Sequence, residues 1–155
     1  MPSATSSDRS RPRIVVLVGL PGSGKSTYLE RLGVTPLSSD AVRLLLTDDA
    51  TDQSVQRRVF ATLRYLLKQR LQIGKRVTYV DATNLTPWER RPYLKLGQLC
   101  DCLVDAIFFD VPPEVCWERN RRRGRVVPEE VMQKMAAKLV PPAREEGFRK
   151  ITVVR

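Results

Sequence analysis

Histidine is absent from the 155-residue chain. Without it, Ser-His-Asp and Cys-His nucleophilic systems and every His-ligated zinc site are excluded. Proton transfer must then fall to a carboxylate, lysine, tyrosine or cysteine. Cysteine is scarce too, with three residues at positions 100, 102 and 116. The Cys100-x-Cys102 pair has no second pair to complete a zinc site, and the count suits no disulfide framework. A reducing, cytoplasmic setting is the expectation. No long apolar run occurs, so neither a transmembrane helix nor a membrane partner is expected. Met1 to Pro12 is rich in Ser, Pro and Arg but lacks an apolar h-region, and reads as a short disordered tail. Acid is in short supply: 17 Asp and Glu face 27 Lys and Arg, a net charge of +10 that favours polyanionic partners.

The remaining composition, 42% hydrophobic and 28% charged, is that of a globular chain. Its length suits one domain, residues 13–155, able to bury about two-thirds of its unfolded surface. From Arg13 onward, apolar β-branched runs alternate with helical periodicity. Strands are expected at Ile14–Val18, Thr35–Ser39, Val77–Val80, Leu103–Phe109 and Ile151–Val154. Helices are expected over 25–32, from an Asp40 cap to Leu46, over 52–73, 87–99 and 114–123, and from Pro128. That alternation predicts right-handed βαβ crossovers: an α/β fold with a five-stranded, mainly parallel sheet flanked by helices.

Gly19-Leu20-Pro21-Gly22-Ser23-Gly24-Lys25-Ser26 satisfies G-x-x-x-x-G-K-[ST] between a buried strand and a helix start. Glycines at 22 and 24 let backbone N–H groups close around a phosphate, and the helix N-terminus favours negative charge. Gly22, Ser23, Gly24, Lys25, Ser26 and Thr27 are therefore the expected nucleotide contacts. Lys25 would reach the β/γ-phosphates and Ser26 would ligate Mg²⁺. ATP or another NTP, with Mg²⁺, is the implied cofactor pair.

Ser38-Ser39-Asp40-Ala41-Val42-Arg43 places a carboxylate at the carboxyl end of a strand, the edge where open α/β sheets bind ligands. Asp40 can take a proton from an attacking hydroxyl and Arg43, at i+3, can hold the acceptor. Equally, Asp40 reads as a helix cap followed by a solvated Arg. Arg119 to Arg125 holds five arginines in seven residues. Arg119 and Arg123 share a helical face, and with the break at Gly124 the segment reads as a helical lid that neutralises a transferring phosphoryl. The competing reading is a solvated or nucleic-acid-binding basic run. Asp81 ends the third strand, placed to bind a Mg²⁺ water or to position the acceptor, and Thr83 or Asn84 can cap the next helix.

Taken together, G-L-P-G-S-G-K-S-T, S-S-D-A-V-R, D-A-T-N-L-T-P-W-E-R-R and R-N-R-R-R-G-R-V-V-P resemble the phage-type polynucleotide 5′-kinases and the kinase modules of bacterial RNA end-healing enzymes. The likeness runs over residues 13–155 with the motifs in family order. It implies Asp40 as general base on a polynucleotide 5′-OH, Arg43 as the acceptor-side arginine, and Lys25 and Ser26 as phosphate and Mg²⁺ contacts. By the same resemblance Arg119 and Arg123 grip the donor phosphates, and Asp81 and Asn84 lie near the acceptor. No D-x-D-G-T motif is present, so phosphatase chemistry is not expected.

Charge bears on the acceptor as well. From Gln53 to Val80 there are seven basic residues, Arg57, Arg58, Arg64, Lys68, Arg70, Lys75 and Arg76, and no acid. A nucleic-acid acceptor with a 5′-OH end accounts for this better than a small neutral one, because phosphate contacts dominate its binding. Tyr28, Tyr65, Trp88 and Trp117 are the aromatics open to base stacking or, alternatively, to local packing. Two other classes remain in view: a small-molecule kinase built on the same loop, and a non-catalytic NTP-dependent nucleic-acid-binding module.

Overall fold

A computed structural model describes residues 10–123 and 127–155. Five parallel strands form one sheet: β1 (Arg13–Val18), β2 (Leu37–Ser38), β3 (Val77–Asp81), β4 (Leu103–Phe109) and β5 (Lys150–Val154), in the order β2-β3-β1-β4-β5. The expected α/β architecture is present. β1 is central because Ile14 to Val18 is apolar on both faces and is buried on both. Pro12, expected in the tail, accepts a 2.8 Å bond from the Leu103 N–H and is tied to the start of β4.

Among the described residues, six α-helices connect the strands: α1 (Lys25–Leu32), α2 (Ser39–Thr47), α3 (Gln56–Ile73), α4 (Pro87–Leu99), α5 (Pro113–Arg121) and α6 (Glu129–Lys138). Spacing decides which faces are buried. Val59, Leu63 and Leu67 fall on one buried stripe of α3, and Leu63 and Leu67 pack with Tyr93, Leu94 and Leu96 of α4 against one face of the sheet. Leu29 of α1 packs on the other face with Val15, Leu17, Ile107 and Phe109. A third cluster joins the lid helices to the loop edge: Cys116 of α5 and Met132 of α6 meet Leu20 and Leu85.

The parallel register brings the chemistry to one edge. Ser38 pairs with Asp81, so the carboxyl ends of β2 and β3 are level. Because α3 runs antiparallel to the strands, Gln56 begins at that edge while Ile73 ends at the opposite one. The 18 residues of α3 span about 27 Å at 1.5 Å per residue. Thr86 caps α4 by accepting from Glu89 N–H (3.2 Å), while Glu89 accepts in return from Leu85 N–H (2.9 Å). Among the described residues no helix is long and apolar enough to cross a membrane.

Candidate nucleotide and phosphoryl-transfer site

The loop after β1 depends on its glycines at two positions. Gly22 (φ 82°) and Gly24 (φ 102°) hold left-handed backbone, which any side chain would strain. A Cβ on Gly22 would also lie 2.6 Å from the Cys116 carbonyl oxygen, so α5 rests directly on the loop. Gly24 caps α1 with no side chain in the way. Ser23 is buried, and its hydroxyl has no hydrogen-bond partner, a polar atom waiting inside the cradle. Lys25 Nζ donates to the Gly19 and Leu20 carbonyls (2.8 and 2.9 Å). Burial lowers its pKa from 10.5 to about 8, against the raising influence of Asp81 and Asp40. Ser26 and Thr27 are exposed at the first turn of α1.

Asp81 is half-buried at the end of β3, and desolvation raises its carboxyl above the ordinary value. The nearby Asp40 charge adds to that rise, while Lys25 and Arg123 oppose it. Lys25, Asp81, Asp40 and Arg123 are thus near enough to influence one another's charge. Of these groups, a carboxylate such as Asp81 suits a hard cation. Mg²⁺ takes one or two protein oxygens and completes its shell with water and phosphate; the exposed Ser26 hydroxyl and the half-buried Asp81 carboxylate are the oxygens that would serve. No cluster of three or more His, Cys, Asp or Glu side chains that could hold a metal ion occurs among the described residues.

The expected cap at Asp40 is corrected: α2 begins at Ser39, and Ser38 accepts from Ala41 N–H at 3.2 Å. Asp40 lies in the first turn instead, its carboxylate largely exposed and accepting from Arg43 Nη1 at 2.9 Å. Arg43 is not an open acceptor clamp. It is buried, donates through Nη2 to Gln56 at the start of α3, and keeps Nε without a partner. Its geometry makes it the group that aims Asp40. Gln56 carries no signal in the sequence, because its partner lies 13 residues away across a helix junction.

Asn84 departs further from the acceptor role implied for it. It is buried at φ 48°, with Nδ2 donating to the Leu17 carbonyl at 2.7 Å, while the Thr83 carbonyl accepts from Gly19 N–H at 3.1 Å. The segment after β3 therefore fixes the root of the phosphate loop. Arg90 holds it there: fully buried, it donates to the Asn84 and Val140 carbonyls and twice to Glu146, each at 2.9 Å. Arg90 stands inside the D-A-T-N-L-T-P-W-E-R-R run, but nothing local distinguishes it from its exposed neighbour Arg91.

The arginine run divides. Arg119 Nη1 reaches the Gly22 carbonyl at 3.4 Å, beside Gly24. Arg121 and Arg122 form surface pairs with Glu129 and Glu118, and Arg125 with Gly124 lies outside the described residues. The basic stretch of α3 divides as well. Arg57 and Arg58 are exposed at the site edge, whereas Arg70 is tied to Thr78 and the Val77 carbonyl, and Lys75 and Arg76 lie at the far edge.

A family model described as an AAA domain, AAA_33, matches residues 14–142. The chain belongs to the AAA_33 family. Its five-stranded parallel sheet and phosphate loop make it a P-loop kinase-like member. One curated relative is the L-seryl-tRNA(Sec) kinase of Methanococcus maripaludis, 26% identical over 87% of this chain. The chain spans 55% of that relative's length. Among solved structures, a candidate kinase from Chloroflexus aurantiacus has a TM-score of 0.71 at 21% identity, covering 94% of this chain and 85% of that one. A chain of the Pnkp1/Rnl/Hen1 RNA repair complex has a TM-score of 0.66 at 21% identity, over 88% of this chain and 47% of its own. A gluconokinase from Sinorhizobium meliloti 1021 has a TM-score of 0.59 at 21% identity, over 94% and 83%. At these identities the structural likenesses establish the AAA_33 chain's fold alone.

Proposed function

We propose that this AAA_33 chain is an ATP-dependent phosphotransferase that moves the γ-phosphoryl group to the 5′-hydroxyl end of DNA or RNA. The observation that carries the reading is the Asp40–Arg43 pair: an exposed carboxylate, held by a buried guanidinium, near enough to the phosphate-loop lysine to act on its charge. Nucleotide binding alone has no use for such a carboxylate. In the reaction the acceptor oxygen bonds to the γ-phosphorus while the bond to the β–γ bridging oxygen breaks, and the acceptor proton passes to Asp40. Lys25, Arg119 and Arg123 stabilise the charge that develops on the transferring group. Gly22, Ser23, Gly24, Ser26 and Thr27 cradle the phosphates. Mg²⁺, held by Ser26 and through water by Asp81, would supply further charge neutralisation.

The acceptor class rests on the net charge of +10, on Arg57 and Arg58 at the site edge, and on the RNA-linked names of two similar proteins. A small-molecule acceptor is the second reading, favoured by the fold shared with a gluconokinase. The test is transfer of label from γ-labelled ATP to 5′-OH DNA and RNA oligonucleotides, beside 5′-phosphorylated controls and a panel of sugars and nucleosides. Labelling of the 5′-OH ends only, lost in Asp40→Asn, is the expected result. Labelling of a metabolite alone moves the protein to the second reading. Tight, salt-sensitive nucleic-acid binding without any transfer would make it a binding module.

A further inference from the structure

The four aromatics open to base stacking have separated in the fold. Tyr28 packs edge-on against Phe109, with ring centroids 5.5 Å apart. Trp117 is half-buried between the lid helices, its indole N–H enclosed. Tyr65 is exposed, but it lies nine residues into α3, about 14 Å along the axis from the end that carries Gln56. Trp88 alone is both exposed and at the site edge. It sits in the first turn of α4 with 77% of its surface open, three residues beyond Leu85, which packs on Leu20 of the phosphate loop.

Leaving an indole so open forgoes the burial that ordinarily places Trp inside. Here one side of the ring is engaged: the Arg91 guanidinium carbon lies 5.8 Å from the ring centroid, a cation–π arrangement that steadies the indole without covering it. Further basic residues lie at the same edge of the sheet. α3 and α4 pack on the same face of the sheet, so Arg57 and Arg58 at the start of α3 share this edge with Trp88 and Arg91. A flat, pre-positioned π-surface at a basic edge suits a ligand that carries both a base and phosphates.

We infer that Trp88, steadied by Arg91, is a stacking platform for a nucleobase at the 5′ end of the acceptor strand. This rests on the polynucleotide reading above and adds to it a residue that selects base-bearing acceptors. Stacking of a base on one aromatic side chain sets the scale: Trp88→Ala raises the KM for a 5′-OH oligonucleotide by about 5- to 100-fold. Because the platform lies apart from the loop that cradles ATP, the KM for ATP stays within about twofold. Trp88→Tyr, which keeps a π-face, retains most of the acceptor affinity.

The test pairs kinetics with binding. Steady-state transfer is measured for wild type, Trp88→Ala and Trp88→Tyr, on acceptors with normal and with abasic 5′-terminal nucleotides. The expected pattern is non-additive: removing the base costs wild type what removing the indole costs, and Trp88→Ala no longer distinguishes the two acceptors. In parallel, Trp117→Phe leaves Trp88 as the sole indole, and its fluorescence is followed as a 5′-OH oligonucleotide is added. Quenching that disappears with the abasic strand supports stacking. Transfer with an unchanged acceptor KM in Trp88→Ala overturns the platform while leaving the kinase reading intact. Quenching without transfer upholds the platform and overturns the kinase reading. Equal loss toward ATP and acceptor, with a lowered Tm, assigns Trp88 a structural role and also overturns the proposal.

Discussion

Replacing Lys25 with Met tests the electrostatics of the loop directly, because the two side chains are similar in length and only one carries charge. Burial lowers the lysine pKa from 10.5 to about 8, so the charged form is disfavoured in the folded chain by roughly 3 kcal/mol. Below about pH 8, folded and unfolded chains both hold the proton and the whole cost is present. Between about 8 and 10.5 the unfolded chain keeps the proton that the folded chain sheds, so stability rises with pH. Above that window neither state is charged and the cost is gone. Lys25→Met removes this pH-dependent cost but also the donors to the Gly19 and Leu20 carbonyls, each worth about 1.5–3 kcal/mol. At pH 7 the two effects oppose one another, and the variant should unfold within about 2 kcal/mol of wild type.

The assay is urea unfolding without nucleotide at intervals from pH 7 to 10.5, with the Lys25→Met curve subtracted from wild type. The difference should climb by roughly 3 kcal/mol in favour of wild type across that range. Tyr93, pushed up to about 12, and the raised thiols of Cys102 and Cys116 act in the opposite sense at high pH. Tyr93 and Cys102 are common to both proteins and drop out of the subtraction, whereas Cys116 is held down by Lys25, so its further rise in the variant adds to the difference in favour of wild type. Binding of a non-hydrolysable ATP analogue should weaken in wild type by up to about tenfold per pH unit above 8, since only the ammonium form holds phosphate. The variant should bind weakly and without that dependence. Parallel unfolding curves for the two proteins would refute the reasoning.

Gly22→Ala should weaken nucleotide binding at least about tenfold and lower stability by about 1–3 kcal/mol, because it combines a left-handed backbone with a methyl group 2.6 Å from the Cys116 carbonyl oxygen. Calorimetric binding together with Tm would register both effects. Arg90→Met should cost about 3–5 kcal/mol in urea unfolding, since Glu146 and two carbonyls lose a buried charged partner. A change below about 1 kcal/mol would contradict the assigned network. Arg43→Met should reduce kcat while leaving the affinity for an ATP analogue within about threefold, because the Arg43 guanidinium is engaged by Asp40 and Gln56. Equal loss of both would show that it acts elsewhere.

The sequence by itself determined the parallel α/β fold, because β-branched runs and 3.6-residue periodicity are local signals read within ten or twenty residues. It also determined the phosphate loop, whose glycines, lysine and serine are adjacent in the chain. Asp40 and Arg43 were legible as a pair, being one helical turn apart. Only the tertiary structure decided which partner each polar side chain has. Ser38 displaced Asp40 from the cap, which turned Asp40 outward to the site. Gln56 drew Arg43 inward, and Asn84 went to the Leu17 carbonyl, 67 residues away. Arg90 and Arg91 are neighbours in sequence, yet one is buried against Glu146, 56 residues on, and the other steadies an exposed indole. Those assignments depend on partners brought together by sheet order and helix packing, so periodicity and motif spacing carry no record of them. The same holds for the basic stretch of α3, where one helix spans the sheet and only its first turn shares an edge with the phosphate loop.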